Sequence, residues 1–150
     1  MNMKDERQFV GYSKYRSRLV DGHVHTELCP HGSGDRTAMM IEKAIELRIE
    51  KVCLTEHAPL PKAFAIEYGG DQKAYDTASL KLNQVDTYLE LGRQLQRAYG
   101  THIDISLGFE VDYIPGFEAD IQEFLDRYGP LTDDNILSVH FMEGVNNAFY

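Results

Sequence analysis

Histidine is scarce in this chain and unevenly placed. The stretch VDGHVHTELCPHG, residues 20–32, carries His23, His25 and His31, three of the six histidines present. Side chains of an extended strand alternate between faces, so the H-x-H pair sets two imidazoles on one side. Neutral imidazole is a good ligand for Zn, Mn or Fe. A lone histidine is more often a polar group satisfied by one hydrogen bond, so the pair needs company before it means metal. Company recurs along the chain. KVCLTEH (51–57) ends in His57, in phase with Cys53 and Thr55. IDISLGFEVDY (103–113) sets Glu110 in phase with Ser106 and Gly108, and NILSVHF (135–141) sets His140 in phase with Ser138. The opposite faces carry Val20 and Val24, Val52 and Leu54, Leu107 and Phe109, and Leu137, Val139 and Phe141.

Each strand is therefore expected to pack an apolar face on helices and to finish in an imidazole or a carboxylate. Parallel strands gather such ends on one rim, where α/β barrels build active sites. His23, His25, His57, Glu110 and His140 should converge there, with His31 reaching in from the first loop. A carboxylate can bridge two metals, and Glu110 is the natural candidate. The chemistry this set can do is metal-assisted hydrolysis, in which metal-activated water replaces a side-chain nucleophile, and none is evident. Asp21 shares the H-x-H face, either as a partner that orients an imidazole or as a polar residue at the strand start. Glu56 is out of phase with His57 and is expected to touch solvent or a basic neighbour. His102 falls on the far rim, structural or solvated. Cys29, beside Pro30, reads as a spectator thiol and Cys53 as a small core residue. The chain has no Walker loop, GxSxG or CxxC.

The segments between these strands must carry the chain back across the sheet. RTAMMIEKAIELR (36–48) has Met40, Ala44 and Leu47, beside Ile41 and Ile45, at helical spacing. APLPKAFAIEYGGDQ (58–72) is a loop punctuated by Pro and Gly. A long helix follows, with Val85, Tyr88, Leu89, Leu95 and Tyr99 on one side and a stop at Gly100. FEADIQEFLDRY (117–128) brings Ile121, Phe124, Leu125 and Tyr128 into phase. Alternating strand and helix predicts a parallel α/β sheet or barrel. Four strands are too few to close a barrel, so the chain reads as an N-terminal piece, truncated at the C-terminus. Open edges then invite self-association.

Composition narrows the partners. Acidic residues number 24 against 15 basic, a net charge of −9, which disfavours nucleic acid and anionic membranes. A small phosphorylated metabolite remains possible, because bound metal inverts the local charge. No apolar run approaches the ~20 residues of a membrane span. Residues 1–18 read as a polar extension without the apolar core of a signal peptide. Two cysteines without a redox spacing point to a reduced, cytoplasmic protein.

DGHVHTELCPHG, LTEHAPLP, GFEVDYIPG and ILSVHF resemble, in order, the motifs of the PHP (polymerase and histidinol phosphatase) superfamily. CPHG, TEHAPLP and FEVDY narrow the resemblance to its monofunctional histidinol-phosphatase branch, and it runs from about Leu19 to Phe141. It implies a distorted (β/α)7 TIM-like barrel, of which residues 19–150 are the N-terminal part, holding two or three divalent transition metals. It implies that His23 and His25 bind the first metal, that Glu110 bridges first and second, that His140 binds the second, and that His31 and His57 bind the third. The family's further histidine and late Asp-x-His motif do not occur in these 150 residues. The implied activity is hydrolysis of L-histidinol phosphate to L-histidinol and phosphate, in histidine biosynthesis. The alternatives are another phosphoesterase of the superfamily acting on nucleotides, or a non-catalytic metal-binding fragment of the same fold.

Overall fold

The structure, a computed structural model, describes residues 19–64 and 72–142; the polar extension expected over residues 1–18 lies outside them. In chain order the elements are β1 (Val20–Val24), α1 (Thr37–Glu46), β2 (Lys51–His57), α2 (Gln72–Ala78), a 3-10 turn (Leu82–Gln84), α3 (Val85–Tyr99), β3 (Asp104–Asp112), α4 (Glu118–Tyr128), a second 3-10 turn (Gly129–Leu131) and β4 (Ile136–Ser138). The strands form one parallel sheet in the order β1-β2-β3-β4, the α/β arrangement expected from the alternation.

β2 and β3 are the long inner strands. They pair without interruption from Lys51↔Asp104 to His57↔Glu110. Residues paired across a ladder share a face, so Cys53, Thr55 and His57 stand beside Ser106, Gly108 and Glu110. Leu54, Leu107 and Phe109 point the other way into a core with Ile41, Val85, Tyr88 and Leu95. Burying each such side chain is worth about 1.5–3 kcal/mol, which makes this layer the main source of stability. Tyr88 is wholly buried and satisfies its hydroxyl by donating to the carbonyl oxygen of Gly108 at 2.6 Å.

Two glycines allow close approach at β3. A Cβ on Gly92 of α3 would lie 2.3 Å from Leu107 Cδ1, so the helix rests directly on the strand. A Cβ on Gly108 would lie 1.4 Å from the backbone oxygen of Asp134, so the connection into β4 runs hard against the strand's other face. That connection takes over the lower edge of β3: Leu107 N–H donates to Asp133 Oδ2 at 3.0 Å and Phe109 N–H to Asn135 Oδ1 at 2.8 Å. β4 itself pairs only with Glu110 to Asp112.

The outer strands depart from expectation. Val20, Leu137 and Val139 do not pack on helices; they are 50%, 70% and 56% exposed. β1 and β4 are edge strands: Val24 of β1 packs against the core, but Val20 and Leu137 are left uncovered. Leu47 is also exposed, because α1 ends at Glu46 and Leu47 is its C-terminal cap; Thr37, Ile41 and Ala44 form the buried stripe instead.

β1 contains an irregularity. Asp21 pairs with Val52, but Val24 pairs with Leu54, so β1 spends three steps where β2 spends two. The extra residue is a bulge, and it reverses the alternation across it. Asp21 therefore lies in phase with Val52, while His23 and His25 lie in phase with Cys53 and Thr55.

Candidate metal centre

The C-terminal ends of the strands and the first loop surround a cavity of about 350 Å³, lined by His23, His25, His31, His57, Glu110, Asp112 and His140, with Ala78 and Phe141. A larger cavity of about 530 Å³ lies between the segment after β2 and α4, lined by residues such as Lys62, Tyr75 and Arg127. No group of potential metal ligands found among the described residues lies there.

Glu110 is the hub. It is buried, and its Oε2 lies 3.0 Å from His23 Nε2, 3.3 Å from His25 Nε2 and 3.1 Å from His57 Nδ1. Its Oε1 lies 3.4 Å from His140 Nε2. His23 Nε2 and His25 Nε2 are 3.0 Å apart, as are, at 3.1 Å, the Nε2 atoms of His31 and His57.

The partners of each ring fix where its proton sits. His25 Nδ1 lies 3.1 Å from Glu56 Oε1, His140 Nδ1 lies 2.8 Å from Asp112 Oδ1, and His31 Nδ1 lies 2.7 Å from the carbonyl oxygen of Thr77. A carboxylate or carbonyl only accepts, so each Nδ1 carries the proton. In a neutral ring the Nε2 is then a bare lone pair. Those lone pairs face Glu110 or another imidazole, an arrangement that repels unless a cation sits between. Protonating every ring instead would crowd like charges at contact distance. His57 supplies a direct sign: its Nδ1 is buried and makes no hydrogen bond of acceptable geometry, although Glu110 Oε2 is 3.1 Å away. Tetrahedral ligands bonded to zinc at about 2.0–2.1 Å stand about 3.3 Å from one another, the separation seen around Glu110. The donor set therefore fits divalent transition metals. Donor atoms of His23, His25 and Glu110, of His57, Asp112 and His140, and of His25, Cys29 and His57 form three groups, each within 4.8 Å.

Electrostatics follow the same contacts. The hydrogen bond to Glu56 raises the His25 pKa above the ordinary value, against the opposing pull of burial. Burial, and then the charge of His25, push His57 down. Burial pushes the Cys29 thiol up, which favours the neutral form at its place beside the cluster.

The structure brings His23, His25, His31, His57, Glu110 and His140 together. It does not bring Asp21: this residue is exposed and has no hydrogen bond to an imidazole, because the bulge turns it to the other face. Glu56 is the reverse correction. Expected at solvent or beside a base, it is fully buried and bonded to His25 and Thr26. Asp112 escaped notice, although it continues the every-second-residue phase of Ser106, Gly108 and Glu110. Its Oδ1 receives the His140 ring at 2.8 Å and the Ser138 hydroxyl at 3.1 Å. His102 is exposed before β3 and lies beside Thr101. Cys53 is a buried free thiol.

The chain is similar to known proteins in sequence and in fold. The chain is 41% identical over 122 residues to the histidinol-phosphatase of Bacillus subtilis, an alignment covering 81% of this chain and 44% of that protein. It therefore spans less than half the length of this relative. Its fold matches the crystal structure of the hisK protein of Listeria monocytogenes, provisionally named a histidinol phosphatase, with a TM-score of 0.82 and 42% identity over 87% of this chain and 47% of that one. A histidinol phosphate phosphatase from Lactococcus lactis, solved with zinc, L-histidinol and phosphate, matches with a TM-score of 0.62 and 24% identity over 83% of this chain and 41% of that one, a likeness of fold alone. The sequence pattern of the PHP domain matches residues 21–150. With a parallel sheet that gathers four strands' worth of imidazole and carboxylate on one rim, and that domain's pattern over nearly its whole length, the chain belongs to the PHP domain family.

Proposed function

We propose that this chain is the N-terminal part of a metal-dependent histidinol-phosphatase, which hydrolyses L-histidinol phosphate to L-histidinol and phosphate. The observation that carries the reading is the ring of imidazole nitrogens gathered on one buried carboxylate, Glu110. A hydrolase needs no side-chain nucleophile at such a site. Divalent ions held there would make a bound water acidic and offset charge building on the phosphoryl oxygens.

The chain's own residues divide the work. His23 and His25 with Glu110 hold one ion. Glu110 with His140 holds a second, and His31 with His57 a third. Asp112 and Glu56 keep His140 and His25 turned inward. The exposed rim at His23 and His140 leaves the cluster open to a small phosphate ester. The four strands take the place of the first four in a (β/α)7 barrel, a reading supported by the edge at β4, where Leu137 and the following Val139 stand uncovered. A reduced, cytoplasmic setting suits the two free thiols.

The test uses the whole gene product, metal-loaded, in a phosphate-release assay. L-histidinol phosphate should be turned over in preference to nucleotides and sugar phosphates. Preference for nucleotides would move the assignment to another phosphoesterase of the family.

A further inference from the structure

Glu56 is a strange residue to bury. It sits on the core side of β2, in phase with Val52 and Leu54, and is fully enclosed. An ionised carboxylate in such a place is costly unless every lone pair is used. Here every one is. Oε2 accepts the Thr26 N–H at 2.8 Å and the Thr26 hydroxyl at 2.7 Å. Oε1 accepts the His57 N–H at 3.1 Å and lies 3.1 Å from His25 Nδ1. Two donors on each oxygen fill the roughly four acceptor sites of a carboxylate. Nothing remains with which to bind an ion, so Glu56 is not itself a ligand.

A cap for the turn at Thr26 would not need a charge. A neutral amide can accept from a backbone N–H and a hydroxyl equally well. What only a carboxylate provides is acceptance at both oxygens, with no donor anywhere. Facing His25, that property leaves the neutral ring one choice: Nδ1 protonated, Nε2 bare. The bare Nε2 is the atom that lies 3.0 Å from His23 Nε2 and 3.3 Å from Glu110 Oε2.

We propose that Glu56 is a positioning residue, which locks the tautomer and orientation of His25 so that its Nε2 joins His23 and Glu110 around a divalent ion. The role rests on the metal-centre reading above. Because Glu56, on β2, accepts from Thr26 and faces His25, both just after β1, it ties the ends of the two strands together where both deliver a ligand. Loss of such an outer partner costs about 10–100-fold in metal affinity.

The 150-residue chain itself is tested with Zn²⁺ or Mn²⁺ alone, by chelator competition, and by ¹⁵N–¹H correlation of the His25 ring nitrogens in the metal-free protein at alkaline pH. The wild type should show a protonated Nδ1 at His25. Glu56→Gln, which offers a donor where only acceptors stood, should lose about 10–100-fold in affinity and mix the tautomers. Glu56→Asp should recover part of both. Thr26→Val removes the hydroxyl donor to the same carboxylate but leaves the His25 contact, and should bind metal as the wild type does. A wild-type His25 protonated at Nε2 overturns the role even if Glu56→Gln does not fold. So does Glu56→Gln with unchanged affinity and tautomer, or Thr26→Val as damaging as Glu56→Gln. A wild type that takes up no metal overturns the metal-centre reading and this role with it; a wild type that binds, with a variant that binds equally, overturns this role alone.

Discussion

The inner strands and the outer strands of this sheet do different work. β2 and β3 are long, continuously paired and buried nearly throughout. They bring to the rim the groups that are hardest to bury: Glu56, His57, Glu110 and Asp112, all less than 9% exposed. β1 and β4 are short and exposed along much of their length. They bring His23 and His140, whose side chains remain 44% and 47% exposed. The anionic floor of the site is thus built into the core, while part of its imidazole rim stands on edges. A buried carboxylate needs a fixed set of partners, which an inner strand with neighbours on both sides can supply. An exposed imidazole needs only to be aimed, and Asp112 does this for His140.

The largest effect should come from the floor. Glu110→Gln leaves a neutral amide among four imidazoles. Metal retention, or turnover in the whole gene product, should fall by about 10²–10³-fold, the scale for loss of one preorganised electrostatic group. Elemental analysis after chelator-free purification checks the first, and a phosphate-release assay the second. Full retention would show that Glu110 is not the hub.

Next come changes to the layer beneath it. Gly108→Ala drives a methyl into backbone rather than into a movable side chain, and should cost about 3 kcal/mol or more by denaturant titration. Gly92→Ala meets only the tips of Leu107, which can move, and gains helix propensity of about 1 kcal/mol, so it should cost less. Equal costs would break the distinction between the two close approaches.

The contrast between strands can be measured with one residue type. Leu107→Ala in β3 should cost about 2–5 kcal/mol, and Leu137→Ala in β4 no more than about 0.5 kcal/mol. A large cost at Leu137 would mean that the β4 edge is covered in solution, by another copy or by further chain; sedimentation would distinguish these. The smallest effect is expected at His102→Ala, remote from the rim, where metal content should not change.

Much of the site could be read from the sequence because strand alternation is a local property. His57 and Glu110 fall on one face whatever surrounds them, and the uninterrupted β2–β3 register carries that phase intact from one strand to the next. The same rule reached Asp112, had it been followed one step further. It failed at Asp21, where a single extra residue in β1 reverses the faces, and nothing in VDGHVH announces that residue. It failed differently at Glu56. Out-of-phase placement correctly assigned its face, but exposure is not local: whether that face meets water depends on what the turn after β1 lays over it. Thr26 and His25 follow β1, and only their docking turns an acidic residue expected at the surface into a buried acceptor. The sequence by itself determined most of the elements, the alternation within each strand and most of the side chains that converge, since these follow from side-chain period and chemistry. Tertiary structure alone decided the register, the covering of the strands and the proton on each imidazole, since these depend on partners distant in the chain.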